Sequence, residues 1–221
     1  MTEIIIRNKE VLDQLEYVRS TVLASSIKEL VPTCSMHCPE DARVNGEAYL
    51  GEEYLFKHMN DDSHQGFPVE HYSTPIEKAL TKDANLKDVY TFSRYDFISN
   101  LGGNANAVFL YYPEGGFVGW HTNQNNSGHQ FIFSYSEKAD GYFQYYDKQK
   151  KEIVKIQDKP GWNARHYHFG KDEEDHLWHS AYTKVPRITI CVLFRWWDKP
   201  QMKEQVLAMK DQLIEELESE F

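Results

Sequence analysis

From residue 105 to residue 196 the chain consists of short segments rich in β-branched and aromatic residues, and none of the intervals between them is helical. They are ANAVFLYY (105–112), GGFVGWHT (115–122), HQFIFSYS (129–136), GYFQYYD (141–147), KEIVKIQ (151–157), NARHYHFG (163–170), LWHSAYT (177–183) and RITICVLFRW (187–196). Turn residues stand between them: PEGG, NQNNSG, KADG, DKQK and DKPGW. Parallel strands need a crossover, usually a helix, so these segments must pair antiparallel. Eight antiparallel strands are the count of a jelly roll. Aromatic residues make up 14% of the chain and suit such pleated surfaces.

Outside this block the periodicity is helical. Val11, Leu12, Leu15, Val18, Val22, Leu23, Ile27 and Leu30 recur at three- and four-residue steps, which predicts one or two amphipathic helices between Asn8 and Leu30. Thr74, Pro75 and Glu77 form a capping box that predicts a helix running to about Asp83. Residues 32–68 read as irregular connection, with one short helix near Ala48–His58. A closing helix is expected from Pro200 to Leu217. The expected fold is mainly β (α+β), a double-stranded β-helix with flanking helices. One domain spans 1–221: a helical and loop part at 1–104, a jelly-roll core at 105–197 and a C-terminal helix at 198–221.

Lysine and arginine total 24 against 34 aspartates and glutamates, a formal net charge of −10. That balance opposes long-range attraction to nucleic acid or anionic membranes. No apolar run approaches the roughly 20 residues of a membrane span. The start, MTEIIIRNKEVLDQ, lacks the apolar stretch of a signal peptide. With three cysteines, an odd number, the expectation is reduced thiols in the cytoplasm and no disulfide. Cys34 and Cys38 flank His37, a spacing poorly matched to structural zinc, and are read as free thiols.

The last strand is apolar on both faces, with Ile188, Ile190, Val192 and Phe194 on one and Thr189, Cys191 and Leu193 on the other. One face calls for a helix. The other begins with Arg187, a charge that should not enter an interior without an anionic partner. Upstream, His121 and Asn123 are two residues apart, so on a strand both side chains leave the same face. His179 precedes Arg187 by eight residues, which predicts adjacent strands joined by a short hairpin.

In this order, H-x-N, a distal His and then R-x-T, residues 105–196 resemble the 2-oxoglutarate-dependent iron(II) oxygenases, particularly the prolyl 4-hydroxylase-like subgroup. The resemblance implies iron(II) held by His121, Asn123 and His179, in a facial triad that leaves positions open for the cosubstrate and oxygen. It implies that Arg187 and Thr189 grip the far carboxylate of 2-oxoglutarate, a task suited to a planar guanidinium. Tyr112 stands at the family's usual nine residues before the first ligand, with Tyr111 its neighbour. The implied activity is hydroxylation of an aliphatic carbon in a small-molecule or protein side-chain substrate, with 2-oxoglutarate decarboxylated to succinate.

Asn123 departs from the family, which has aspartate there. It either ligates through its amide oxygen, swings aside, or leaves the site empty; halogenating members carry a smaller residue at this position. A non-catalytic jelly-roll binder that keeps the pocket is the alternative, and a cupin-type zinc or manganese enzyme is a third. His166 and His168 read as a half-exposed strand face, and Trp120, Trp178, Trp196 and Trp197 as core. Segment 32–72, with Tyr54, Phe56, His58, His64, Phe67 and His71, is the expected substrate lid.

Overall fold

The computed structural model describes residues 1–34, 46–61, 63–68, 70–196 and 199–220. The side chain of Cys34 is outside what is described, and His37, Cys38 and Trp197 lie outside these residues. Three short strands precede the expected block: β1 (Thr2–Ile4), β2 (His71–Tyr72) and β3 (Thr74–Pro75). All eight expected strands follow: β4 (Ala105–Tyr112), β5 (Phe117–His121), β6 (Gly128–Ser136), β7 (Gly141–Asp147), β8 (Glu152–Gln157), β9 (Gly161–Phe169), β10 (His179–Thr183) and β11 (Arg187–Phe194). One sheet has the order β1-β9-β6-β11-β4-β3 and the other β2-β5-β10-β7-β8. Every pairing is antiparallel. Two facing sheets wound in this order are a double-stranded β-helix, the fold expected from the strand count.

Helices α1 (Lys9–Ala24), α2 (Ile27–Cys34), α4 (Ala84–Thr91) and α5 (Lys203–Glu218) cover the outer face of the larger sheet, whereas α3 (Glu52–Asn60) packs beside β5 of the smaller one, its Leu55 clustered with Trp120 and Trp178. Asn8 caps α1 by accepting the Val11 N–H at 3.2 Å, and Val11, Leu15, Val18 and Val22 form its buried stripe. These side chains join Phe131, Phe133, Ile188, Ile190, Val192 and Phe194 in one core with Leu213 and Leu217 of α5. So β11 is buried on both faces, as its composition predicts. Gly103 sits where a Cβ would come within 2.3 Å of Val192, so the turn into β4 can press against β11 only with a glycine there.

The helix predicted from the Thr74 capping box is not formed. Thr74 and Pro75 pair with Tyr111 and Leu110 as β3, and only a 3-10 turn, Ile76–Ala79, follows. Pairing at the edge of β4 gives Thr74 ladder hydrogen bonds that the cap would have forgone. The effective cap is Asp83, which accepts from Asn85 N–H at 2.9 Å and, through its other oxygen, from Ser26 N–H at 2.9 Å. The helix it starts, unassigned in the sequence reading, runs on through a π-helical stretch, Phe92–Phe97, to Asn100.

Beneath α5, His129 of β6 and His166 of β9 share a 2.8 Å hydrogen bond, and the ring of His168 lies 4.8 Å from that of His129. Trp196 covers His129 at 5.5 Å. His166 and His168 therefore belong to a histidine cluster on the helix-covered side of the sheet, with only His168 exposed. Burial first, and then neighbouring histidines and Lys210, lower His129 to about 3; burial and Lys210 lower His166 to about 4; Asp211 opposes both shifts. An unfolded histidine titrates near 6.5, so below that pH the unfolded chain binds more protons and stability falls until the folded pKa values are reached. Replacing His129 with glutamine should flatten this loss. Thermal melts between about pH 4 and 7 check it, and equal slopes for variant and wild type would reject this source of acid sensitivity.

Candidate active site

Strand register brings the two predicted histidines together. His121, the last residue of β5, is the cross-strand partner of His179, the first of β10, and their rings are 4.1 Å apart between centroids. Both are 5% exposed. The Nδ1 atoms face backbone carbonyls, that of His121 at 2.8 Å from Gly119 O and that of His179 at 2.9 Å from Leu177 O. A carbonyl only accepts, so each Nδ1 carries the proton and donates it, and each Nε2 keeps its lone pair. Burial, and for His121 also the neighbouring His179, hold both rings neutral; His179 is lowered to about 4 and His121 is well below its ordinary value.

Asn123 is not on the strand, which ends at His121. Its backbone is set instead by the segment before β2: Thr122 N–H donates to His64 O at 2.9 Å and Gln124 N–H to Gln65 O at 3.1 Å. His64 takes φ 63° there, a conformation uncommon for a residue with a Cβ. The orientation of the Asn123 amide follows from a chain of hydrogen bonds. Gln130 Nε2 donates to Asn126 O at 2.7 Å, so Gln130 Oε1 is left to accept from Asn123 Nδ2 at 3.4 Å. The amide oxygen of Asn123 is thereby turned away from Gln130. Its contact with His121 favours the charged imidazole.

The other end of the cavity is cationic. Arg187 is 2% exposed and opposes Tyr112 across the β11–β4 pair. Its Nη2 donates to Ser134 Oγ at 3.1 Å and to Asp158 Oδ1 at 3.3 Å. The anionic partner that a buried arginine requires is thus supplied by the chain itself, and Arg165 shares it, 3.7 Å from Asp158 Oδ1. The Tyr112 ring lies 5.5 Å from the guanidinium carbon, and burial raises its hydroxyl to about 12. Thr189 Oγ1 is 3.5 Å from Ser134 Oγ. Tyr111, by contrast, points into the helix-side core.

His179 and Arg187 do not lie on hydrogen-bonded neighbours, as the hairpin reading predicts. β10 belongs to the smaller sheet and β11 to the larger, so the connection crosses between sheets and the two side chains meet across the interior. Tyr112, His121, Asn123, His179, Arg187 and Thr189 all line one cavity, with about 470 Å³ of empty space including its mouth. Val108, Leu110, Val118 and Phe143 make its apolar walls. Among the described residues no group of three or more His, Cys, Asp or Glu side chains is gathered to hold a metal. The donors at this end are two imidazoles and one amide.

Of the expected lid, Phe67 lines the cavity mouth, its ring 6.1 Å from that of His121. Tyr54, His58 and His64 gather with Glu70 in a separate cluster, where His64 Nε2 is 2.7 Å from Glu70 Oε2. Phe56 packs on Tyr146, and His71 on Phe67. Trp120 and Trp178 are core, as expected. Asp158, Arg165, Ser134 and Gln130 are the site residues that the sequence reading missed. Arg165 was legible, since it shares an inward parity with Asn163, Tyr167 and Phe169.

No family model matches the chain, and no curated protein matches it. Among solved structures it is similar to a dioxygenase for auxin oxidation from rice, at 11% identity over 82% of this chain and 68% of that one, with a TM-score of 0.35. It is similar to a Pseudomonas putida prolyl-4-hydroxylase at 13% identity, over 77% of this chain and 99% of that one, TM-score 0.35. Drosophila melanogaster CENP-C bound to CAL1 is also similar, at 6% identity over 38% of this chain and a TM-score of 0.29; the chain spans 61% of that protein. Likeness at this level carries no functional assignment.

The hydrogen bonds above make a checkable statement about protons. Nitrogen-15 spectra of the metal-free protein at neutral pH should show His121 and His179 as neutral rings with the proton on Nδ1. An Nε2-protonated ring at either position would remove the lone pair from the cavity.

Proposed function

We propose that the chain is a 2-oxoglutarate- and iron(II)-dependent dioxygenase that hydroxylates an aliphatic carbon of a small-molecule or protein side-chain substrate. The observation that carries this reading is the facing pair His121 and His179, both neutral and Nδ1-protonated, at one end of a cavity whose other end holds Arg187. Neutral imidazoles with a free Nε2 suit a divalent transition metal, and the Gly119 and Leu177 carbonyls fix the tautomer this needs. Asn123 completes the donor set through its amide oxygen, which Gln130 leaves unengaged. Bound iron with the oxoacid supplies the activation of dioxygen.

The remaining work falls to the protein's own groups. Arg187 receives the far carboxylate of the cosubstrate, with Thr189 and Tyr112 offering hydroxyls beside it. Val108, Leu110, Val118 and Phe143 keep the space between the two ends dry, which strengthens the charge interactions at each end. Phe67, partly exposed at the mouth, borders the path a substrate would take.

A neutral amide in place of a carboxylate favours a second reading, a non-catalytic binder of a carboxylate ligand. Anaerobic titration with iron(II) and 2-oxoglutarate separates the two. The oxygenase gives a visible charge-transfer band, and then succinate on admission of air; silence in both assays leaves the binder. Asn123→Asp should tighten iron(II) by about tenfold, roughly 1.4 kcal/mol. Part of the new charge's benefit is offset where it meets Gln130 Oε1. An unchanged iron affinity would mean that residue 123 does not face the metal.

A further inference from the structure

The cationic end of the cavity holds more charge than one arginine needs for its own neutralisation. Arg165 and Arg187 are both at least 95% buried, and the carboxylate between them is that of Asp158, 2% exposed. Arg165 Nη1 is 3.7 Å from Asp158 Oδ1, and Arg187 Nε is 3.3 Å from Asp158 Oδ2. Two guanidinium cations against one carboxylate leave one positive charge out of water. The next carboxylate in electrostatic reach of Arg165, that of Glu3, is exposed and paired with Lys159. A buried unit charge without a counter-ion is costly.

Unmet polar atoms mark the same place. Asp158 Oδ2, Arg187 Nε, Arg165 Nε and Tyr167 Oη are buried and have no hydrogen-bond partner among the described residues. Arg187 Nε and Asp158 Oδ2 are close enough for Coulomb attraction but are not aligned for a hydrogen bond. Arg187 spends Nη2 on Ser134 and Asp158, and its Nη1 has no protein acceptor among the described residues. Arg165 turns its own Nη2 to Gln157 O at 3.0 Å, away from the cavity, and does not line it. Arg187 does.

We infer that Arg165 and Asp158 are positioning residues for a carboxylate ligand. Asp158 fixes the guanidinium plane of Arg187, and Arg165 cancels the charge of Asp158 so that Arg187 meets the ligand with its full positive charge. Without Arg165, Asp158 would neutralise Arg187 and the cavity would have no net attraction for an anion. The ligand class is a dicarboxylate or oxoacid whose far carboxylate ends at Arg187. The inference rests on the proposed reading of that cavity as the cosubstrate site, but the charge balance operates without any metal.

The test therefore uses glutarate, which has both carboxylates and no oxo group to chelate a metal, measured by calorimetry on the full chain in the presence of a chelator. Arg165→Met should weaken glutarate binding by about tenfold or more. Asp158→Asn, which keeps an acceptor oxygen, should tighten it. The double variant restores the wild-type charge and should return to within about threefold of wild type. Arg165→Lys should also stay within about threefold, because charge and not the planar fork is required of it. If Arg165→Met does not fold, the comparison of Asp158→Asn with wild type decides: tighter binding supports the inference and unchanged or weaker binding overturns it. A folded Arg165→Met with wild-type affinity overturns it, as does a double variant that fails to recover, or a wild type that does not bind glutarate. If iron titration is silent while the glutarate series holds, the oxygenase reading alone fails.

Discussion

A guanidinium carried into the interior of a sandwich must be met there by a carboxylate, and the meeting of Arg187 with Asp158 organises much of this molecule. Arg187 arrives because β11 is sandwiched, its even-numbered residues held by the helices and its odd-numbered residues turned inward. Asp158 arrives because β8 ends one residue before it and its N–H is fixed to Gly141 O at 2.9 Å. The bare Cα of Gly141 makes room, since a Cβ there would lie 2.8 Å from Asp158 Oδ2. Arg165 then shares the carboxylate from β9. Three strands and a turn are thus tied through one buried ion cluster, whose cost is acceptable only with good geometry or a ligand.

The two ends of the cavity are built on opposite electrostatic plans, yet they favour the same kind of guest. At the histidine end the donors are neutral, because burial keeps the rings uncharged and residue 123 is an amide. A divalent cation bound there would retain its full charge, where a carboxylate ligand would have reduced it by one. At the arginine end one positive charge already stands unbalanced. A chain of net charge −10 therefore encloses a chamber with two buried arginines against one buried aspartate. Surface charge and site charge are separate quantities, since water and salt screen the first and low dielectric preserves the second.

Period-two alternation between turn signals made the eight core strands legible, and most strand boundaries shift by at most two residues from the segments read. The site residues on those strands were legible for a related reason. Strand parity decides which face a side chain takes, so His121, His179, Arg187, Thr189 and Tyr112 reach the interior once the sheets close. The misread elements lie where local and tertiary preferences compete. Thr74 carries a sound cap signal, but the free edge of β4 offered it ladder hydrogen bonds. The 84–100 helix has short apolar spacing interrupted by a π-helical stretch, so its periodicity drifts off 3.6. Asn123 is placed by the segment at His64 and Gln65, more than fifty residues away in sequence.

Composition and alternation alone determined that this chain forms an antiparallel jelly roll with an arginine turned inward on its last strand, because side-chain period and turn chemistry are local properties. Tertiary structure alone decided that His121 faces His179, that His179 and Arg187 approach from opposite sheets, and that Asp158 and Arg165 set the charge around Arg187. Register, sheet facing and ion pairing depend on which distant segments meet, and no local pattern of residues encodes that meeting.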